Sequence, residues 1–369
     1  MKISSDVIIG TLILTSTIIG LGVFTLPYTL ISSGIYFYFW FLFIPFIIFI
    51  FHLAYSEIIF NIEKRHNLPQ LVSLIINKKF KLPLWFVDYF GLICVFLVYL
   101  LFMNNFLIKI FGVDFDFKLF ITLFIIFLIF FEENIFSKID AIISFLLILL
   151  FIFISFYFLS YINLNRYFKI DNLNFWLPYG ILLFSYSGYH SLQLVYDLVK
   201  KNKGKIIIVN IFSLIIVTLI YLLFTLSIVG SLDKNKISEI SLLSIIDFLP
   251  LYLKIIISIL FLISIITTFV SLAFYLKRGL ILDFRIKKFL AWLIVSLSII
   301  IISFFNYDSL VKIVSLIGDL FVGFNILVIL LCYLKLKEKK FFIFPSWLIS
   351  LIIILIIVGW FNGLLLGLI

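Results

Sequence analysis

Two stretches of this 369-residue chain interrupt long apolar runs with glycines and small hydroxyl side chains. Residues 15–27 read Thr-Ser-Thr-Ile-Ile-Gly-Leu-Gly-Val-Phe-Thr-Leu-Pro, and residues 184–191 read Phe-Ser-Tyr-Ser-Gly-Tyr-His-Ser. In a helix interior, a glycine costs about 1 kcal/mol and a proline about 3 kcal/mol relative to alanine. A helix is therefore weakest at Gly20 and Gly22 in the first stretch and at Ser185, Ser187 and Gly188 in the second.

A helix that breaks in its middle exposes backbone groups that can bind charge. The first turn of a half-helix presents free N–H groups and a positive dipole end, which favour a carboxylate. The last turn of the other half presents carbonyl oxygens, which suit an ammonium group or a metal cation. Carbonyl ends fall near Ile18 and Ser185, and N–H ends near Gly22 and Tyr189. A zwitterionic α-amino acid matches both, and close helix packing is the structural alternative for each stretch.

The elements that must position these stretches are transmembrane helices. Hydrophobic residues form 65% of the chain and charged residues 12%, with a mean hydropathy of +1.32, whereas soluble domains carry about 25% charged residues. A helix of about 20 apolar residues crosses a bilayer, and the pattern predicts eleven spans. Their predicted limits are 7–33, 35–60, 85–111, 117–132, 139–162, 175–198, 206–230, 251–276, 286–305, 309–334 and 344–368.

The basic residues predict the orientation of these spans. Most of the 28 Lys and Arg residues fall on one side of the membrane, in the connections that are cytoplasmic when the N-terminus is inside. We therefore predict a multi-pass protein of the cell membrane, with its N-terminus inside and its C-terminus outside. The net charge of +10 then reflects topology, and nucleic-acid binding is not expected because the charge is spread over short loops.

The eleven predicted spans divide into five, five and one. The first five (7–162) begin inside the cell, so the next five (175–335) have inverted topology, and one helix (344–368) is additional. The two interrupted stretches lie in the first and sixth spans, at corresponding positions of the two halves. Transporters built from inverted repeats place substrate and ion at such paired breaks. The sequence thus predicts one transmembrane domain with a binding site inside the membrane.

Three short motifs resemble the amino acid/auxin permease family, and its aromatic amino-acid permease branch, within the amino acid-polyamine-organocation superfamily. Residues 17–28, followed by Ser33 and Gly34, are similar to the first helix of that family. Residues 184–191 are similar to its sixth helix, and residues 54–57 to the end of its second. The resemblance implies an all-α LeuT-type fold with discontinuous helices one and six, and secondary active transport of amino acids coupled to Na⁺ or H⁺.

The same resemblance implies roles for individual residues. The substrate carboxylate would bind the backbone N–H groups of Gly20, Leu21 and Gly22, and the substrate amine would bind carbonyls and hydroxyls of Thr17, Ile18, Phe184, Ser185 and Ser187. Gly188 completes the break in the sixth span. An ion site would combine the carbonyls of Ser16 and Ile19 with Ser264, Thr267 and Thr268 of the eighth span, and five oxygens suit Na⁺. The alternative is that both threonines bond back to their own helix.

Other polar residues inside the spans are candidates in their own right, because such groups are costly in lipid. Asp319 lies deep in the tenth span and could carry a coupling proton, or be a structural group bonded to Asn325. His190 could contact the substrate or pack as a satisfied histidine, and Tyr99 and Asn104 could wall the pocket or fill the core. Glu57, near the inner interface, is expected to pair with Lys64 or Arg65.

The sequence also bears on three functions other than amino-acid transport. A membrane receptor of the same fold, sensing an amino acid as germination receptors do, stays open as an alternative. An enzyme is not expected, since the histidines His52, His66 and His190 are dispersed, and no cofactor is expected. A metal transporter would need a carboxylate and an amide within residues 15–25, which contain neither. A neutral or aromatic substrate is favoured because the predicted pocket offers no counter-charge except His190 and Asp319.

Overall fold

All regular secondary structure in the described residues is helical. The computed structural model describes residues 4–62, 66–131, 133–167, 174–199, 202–336 and 342–368, and every regular element in these ranges is helical. The predicted all-α polytopic architecture is therefore confirmed. Lys64 and Arg65, the expected partners of Glu57, lie outside the described residues.

Each predicted span of the first half corresponds to a helix or a broken helix. The spans are Ser5–Ile18 with Leu21–Thr25 and Leu26–Ser33 (span one), Ile35–Ile62 (span two), Lys81–Phe111 (span three), Lys118–Phe130 (span four) and Glu133–Leu159 (span five). Short helices at Leu68–Ile75, Lys78–Phe80 and Leu164–Arg166 lie in the connections.

The second half repeats this plan and adds one helix. Its spans are Leu177–Tyr186 with Tyr189–Ser191 and Leu192–Leu198 (span six), Lys203–Ser231 (span seven), Leu251–Phe284 (span eight), Lys288–Ser303 (span nine), Leu310–Leu316 with Ile317–Val322 and Gly323–Lys335 (span ten) and Ser346–Leu368 (span eleven). The segment Ile317–Val322 is a π-helix. Lys234–Lys236 and Ser241–Ile246 are short helices between spans seven and eight.

The lengths of the helices follow the same order in both halves. Spans two and seven have 28 and 29 residues, spans three and eight have 31 and 34, and spans four and nine have 13 and 16. Among the described residues, six helices are long and apolar enough to cross a membrane alone. Span one crosses as a pair of helices bent by 48° at its break. These features are typical of an inverted repeat whose first helices are discontinuous.

The end of span eight is the helix boundary that lies furthest from its predicted position. The apolar run ends at residue 276, but the helix continues to Phe284 because nothing in residues 277–284 breaks it. It ends where Arg285 adopts a left-handed conformation with φ of 57°. Hydropathy limits the part of a helix that lies in lipid and does not limit the helix itself, so charged residues after the run remain helical.

The two halves meet around the broken spans. Span one packs against spans five and seven, and span six packs against spans two and ten. Glycines permit the closest of these approaches, between Gly180 of span six and Gly318 in the π-helical segment of span ten. A Cβ atom on Gly318 would lie 2.5 Å from the carbonyl carbon of Gly180. Backbone is therefore packed directly on backbone between spans six and ten.

Replacing Gly318 by Ala should lower the stability of the folded protein by about 1–3 kcal/mol, because the added methyl group forces two backbones apart. The thermal unfolding midpoint of the purified protein in detergent measures this. Gly323→Ala is the matched control in the same span, because its Cβ would lie 3.5 Å from the Gly318 oxygen and 3.7 Å from Ile356, ordinary contact distances. Equal midpoints for the two variants would contradict the close contact.

Candidate functional site

A cavity lies where the breaks in spans one and six meet spans three, eight and ten. All of the predicted substrate-binding residues except Gly188 line it. They are Thr17, Ile18, Gly20, Leu21, Gly22, Tyr99, Phe184, Ser185, Ser187 and His190. Residues from two distant parts of the sequence thus share one internal space. Their roles in binding remain predictions.

The break in span one is a short extended segment between two helices of different type. The α-helix ends at Ile18, where the Ile19 N–H donates to the Thr15 carbonyl at 2.8 Å and the Gly20 N–H donates to the Ile18 carbonyl at 2.8 Å. Gly20 is extended, with φ −110° and ψ −151°, and a 3₁₀ helix begins at Leu21. The Gly20 N–H is therefore engaged within the chain, and the first turn of the new helix begins with the N–H groups of Leu21 and Gly22.

The break in span six has the same construction. The α-helix ends at Tyr186, and the Ser187 N–H donates to the Leu183 carbonyl at 3.1 Å. A 3₁₀ helix begins at Tyr189 after the non-helical pair Ser187 and Gly188. Gly188 does not line the cavity because it packs on the other break, where its Cβ would lie 2.5 Å from Ile18 Cγ1.

One tyrosine hydroxyl from span seven joins the two breaks. The Tyr221 Oη lies 2.9 Å from the Ile18 carbonyl oxygen and 2.9 Å from the Ser185 carbonyl oxygen. These carbonyls stand at the ends of the two broken helices, where the next turn would have satisfied them. The Tyr221 side chain is fully buried. The carbonyl oxygens that the sequence suggests for an ammonium group thus already share a protein donor. Because the Ile18 oxygen also accepts from the Gly20 N–H at 2.8 Å, both of its lone pairs are engaged.

The two breaks also approach each other closely at Gly22 and Ser185. A Cβ on Gly22 would lie 2.8 Å from the Ser185 Cα, a distance that real side chains do not reach. Gly22 therefore serves close helix packing in addition to any role in binding. Hydroxyls near the breaks bond to their own helices, as Thr17 does to the Ile13 carbonyl at 2.8 Å and Ser185 to the Ile181 carbonyl at 2.7 Å.

A second, smaller cavity lies between the first break and span eight. Ile19, Ser264 and Thr268 line it together with aromatic side chains, and Thr268 also lines the larger cavity. The hydroxyls of Thr267 and Thr268 both donate to the Ser264 carbonyl, at 2.9 and 3.0 Å. Three of the five predicted ion ligands thus face one space, whereas Ser16 and Thr267 do not line it.

Asp319 lies elsewhere, between spans six, ten and eleven. Its side chain is enclosed by glycines, since Cβ atoms on Gly180 and Gly363 would both collide with it. Ser315 Oγ donates to its Oδ2 at 3.4 Å, and its Oδ1 has no hydrogen-bond partner among the described residues. Asn325 is not its partner, which corrects the expected structural pairing. The Asn325 amide instead donates to Asp88 and Tyr189.

Asp88 of span three is the residue near the cavity that the sequence analysis missed. It lines the cavity and is only 4% exposed. Its Oδ1 accepts from Tyr189 Oη at 3.0 Å and Asn325 Nδ2 at 3.2 Å, and its Oδ2 accepts from Tyr275 Oη at 3.2 Å. Because it lies three residues after the predicted start of span three, its sequence position alone favours the membrane–water interface. The available signal was a carboxylate followed by 20 apolar or uncharged residues up to Lys109.

The remaining polar candidates divide between the site and the scaffold. His190 lines the cavity and stacks on Tyr189 with ring centroids 3.9 Å apart. Asn104 does not line it, because its side chain accepts from the Phe117 N–H at 2.7 Å at the end of span three. Glu57 accepts from the Phe342 N–H at 2.9 Å, and its expected partners are outside the described residues.

His52 belongs to the scaffold as well. Its Nδ1 lies 3.0 Å from Asn210 Oδ1 of span seven, which links spans two and seven through buried side chains.

Comparison with known proteins identifies the fold. No known family model and no curated protein sequence matches this chain. Among solved structures, MhsT in complex with L-phenylalanine is similar, with a TM-score of 0.65 and 13% identity over 98% of both chains. The Eremococcus coleocola manganese transporter in complex with an aromatic bis-isothiourea compound has a TM-score of 0.64 and 12% identity, over 98% of this chain and 85% of its own.

These similarities confirm the predicted LeuT-type fold, which spans the whole length of this chain. The structural neighbours are transporters and not enzymes. Placement in the amino acid/auxin permease family stays a prediction from the sequence motifs.

Replacing Tyr221 by Phe should destabilise the fold by about 1–3 kcal/mol, because two buried carbonyls lose their shared donor. The thermal unfolding midpoint in detergent measures the change. Tyr186→Phe is the matched control, since its hydroxyl bonds at 3.1 Å to the half-buried Thr218 hydroxyl and leaves no backbone group without a partner. A Tyr221→Phe midpoint as high as that of Tyr186→Phe would show that the bridge contributes little.

Proposed function

We propose that this protein is a secondary transporter of amino acids that works by alternating access. The observation that carries the proposal is that the breaks of spans one and six line one cavity inside the membrane domain. Paired breaks place backbone N–H and carbonyl groups where a small zwitterion can use both. The substrate is proposed to lie in this cavity, with the cytoplasmic membrane as the location of the protein.

The broken helices define how the zwitterion would be held. Its carboxylate is proposed to bind at the first turn of the helix that starts at Leu21, where N–H groups and the helix dipole favour an anion. Its amine is proposed to bind at the end of the helix that stops at Tyr186, where Phe184 and Ser187 line the cavity. The Ser185 carbonyl, which accepts from the Tyr221 hydroxyl, has a second lone pair that also suits an N–H donor.

The lining of the cavity suits an organic substrate. Leu92, Val95, Leu272 and Phe321 contribute apolar walls beside the polar groups at the breaks. A neighbour of this fold binds L-phenylalanine, and another transports manganese. Within the described part of this chain, no three His, Cys, Asp or Glu side chains are placed to hold a metal ion. We therefore base the proposal on an amino acid.

The orientation with the N-terminus inside is likewise a proposal, and it rests on the basic residues. Lys78, Lys79 and Lys81 lie around the short helices between spans two and three, and that connection would face the cytoplasm. Attraction of such residues to the cytoplasmic side sets the orientation of membrane proteins.

Purified protein in proteoliposomes should accumulate labelled amino acids when an ion gradient is imposed. Val95→Phe should abolish this uptake, because the added ring occupies the cavity that Val95 lines. Leu97→Phe, on the same helix and not part of the cavity lining, is the matched control. Saturable binding without accumulation would favour a receptor, and uptake that is unchanged in Val95→Phe would remove the cavity from the mechanism.

Coupling is proposed to use Na⁺ or H⁺, and matched gradients of the two should separate these. If Na⁺ drives uptake, Thr268→Val should lower the apparent affinity for Na⁺ in the uptake assay about tenfold or more, because the ion loses an oxygen ligand. Its effect should exceed that of Thr267→Val, because only Thr268 lines the cavities. If H⁺ drives uptake, Asp319→Asn should abolish it. Identical behaviour of the two threonine variants under a Na⁺ gradient would contradict the proposed ion site.

A further inference from the structure

The cavity contains a carboxyl group that the sequence analysis did not anticipate. Asp88 lines it beside Tyr189, at the start of the second half of span six. Three hydrogen bonds hold the carboxylate, from Tyr189, Tyr275 and Asn325. The expectation of a neutral substrate rested on the absence of a counter-charge other than His190 and Asp319. Asp319 does not line this cavity and Asp88 does, so that premise no longer holds.

The partners of Asp88 stabilise its charge without neutralising it. Two phenol hydroxyls and one amide are neutral donors, and donors of this kind favour the ionised carboxylate. None of the described residues that line the cavity is Lys or Arg. Arg278 contacts the ring of Tyr275, with its guanidinium carbon 6.0 Å from the ring centroid, and is not part of the lining. A cationic group that enters the cavity therefore meets a carboxylate that lacks a basic partner in the lining.

A second acceptor stands in the same part of the cavity. His190 lines it, and the buried Nε2 of His190 has no hydrogen-bond partner among the described residues. The imidazole is held against the ring of Tyr189 and edge-on to Tyr275, the two tyrosines that bind Asp88. A neutral imidazole nitrogen accepts one hydrogen bond. The charged acceptor and the neutral acceptor together match a group that carries several N–H donors.

Along span three, apolar side chains separate Asp88 from the break in span one. Leu92 and Val95 continue along span three from Asp88 toward Tyr99, and Tyr99 approaches the first break, where its hydroxyl lies 3.1 Å from the position of a Cβ on Gly20. Along span three the cavity thus has the proposed site for the substrate carboxylate at one end, an aliphatic wall, and Asp88 at the other. A side chain with a methylene stem and a cationic tip has the same order of groups.

We infer that the cavity selects amino acids with a cationic side chain, whose terminal ammonium or guanidinium group binds Asp88 and His190. This inference rests on the proposed function, since it assigns the side-chain end of the same substrate site. Asp88 is then the residue that determines specificity. The charge of the ligand supplies the counter-ion that the described residues of the cavity lining do not, and charge-assisted hydrogen bonds of this kind are stronger than neutral ones.

Calorimetric titration of the purified wild-type protein with two matched ligands tests the inference. L-lysine and L-2-aminoheptanoic acid have side chains of equal length, and a methyl group in the second replaces the ammonium of the first. The wild type should bind L-lysine about 10- to 100-fold more tightly, the range expected for a hydrogen-bonded charge. In Asp88→Asn this ratio should fall to about 1 or below, because the amide carries no charge.

Tyr89→Phe is the matched control, because Tyr89 is next to Asp88 in span three, bonds to Ser298, and does not line the cavity. Its ligand ratio should equal that of the wild type. The wild-type ratio alone keeps the test valid if Asp88→Asn fails to fold. Equal or tighter binding of 2-aminoheptanoic acid by the wild type would overturn the inference and leave amino-acid transport standing. Failure of both ligands and of a mixture of the common amino acids to bind would overturn the proposed function as well.

Discussion

The structure depends on satisfying the backbone carbonyls that two helix breaks release inside the membrane. Lipid offers no hydrogen bonds, so such groups persist only with partners from the protein or a ligand. Tyr221 supplies one hydroxyl to both Ile18 and Ser185, and it reaches them from span seven. The two breaks are thereby held next to each other. The cavity between them and spans three, eight and ten follows from that arrangement.

The sequence predicts the fold well because lipid imposes a simple length and composition on each helix. Span two was expected at 35–60 and forms Ile35–Ile62, and span seven was expected at 206–230 and forms Lys203–Ser231. The error at the end of span eight has the same origin, since hydropathy changes at residue 276 whereas backbone conformation changes at Arg285. The breaks were visible because glycine and proline act on the local backbone.

The site could be predicted only as far as local signals extend. Gly20, Gly22 and Ser187 line the cavity because they belong to the breaks themselves. Tyr221 and Asp88 act through contacts with residues more than 30 and 100 positions away, such as Ser185 and Tyr189. Such contacts depend on how helices rotate against one another, and no periodicity in an almost wholly apolar span reveals that rotation. A tyrosine among many aromatic residues therefore has no local sequence signal, and the only local signal of Asp88 is the uncharged run that follows it.

The contact between Gly22 and Ser185 has a consequence for how a solute reaches the cavity. Backbone lies against backbone at that point, so the seam between spans one and six has no room for even a methyl group. The remaining walls are formed by spans three, eight and ten through side chains, which can change rotamer and part. Under the proposed transport function, a solute would enter and leave past those three helices, while Tyr221 keeps the two breaks joined.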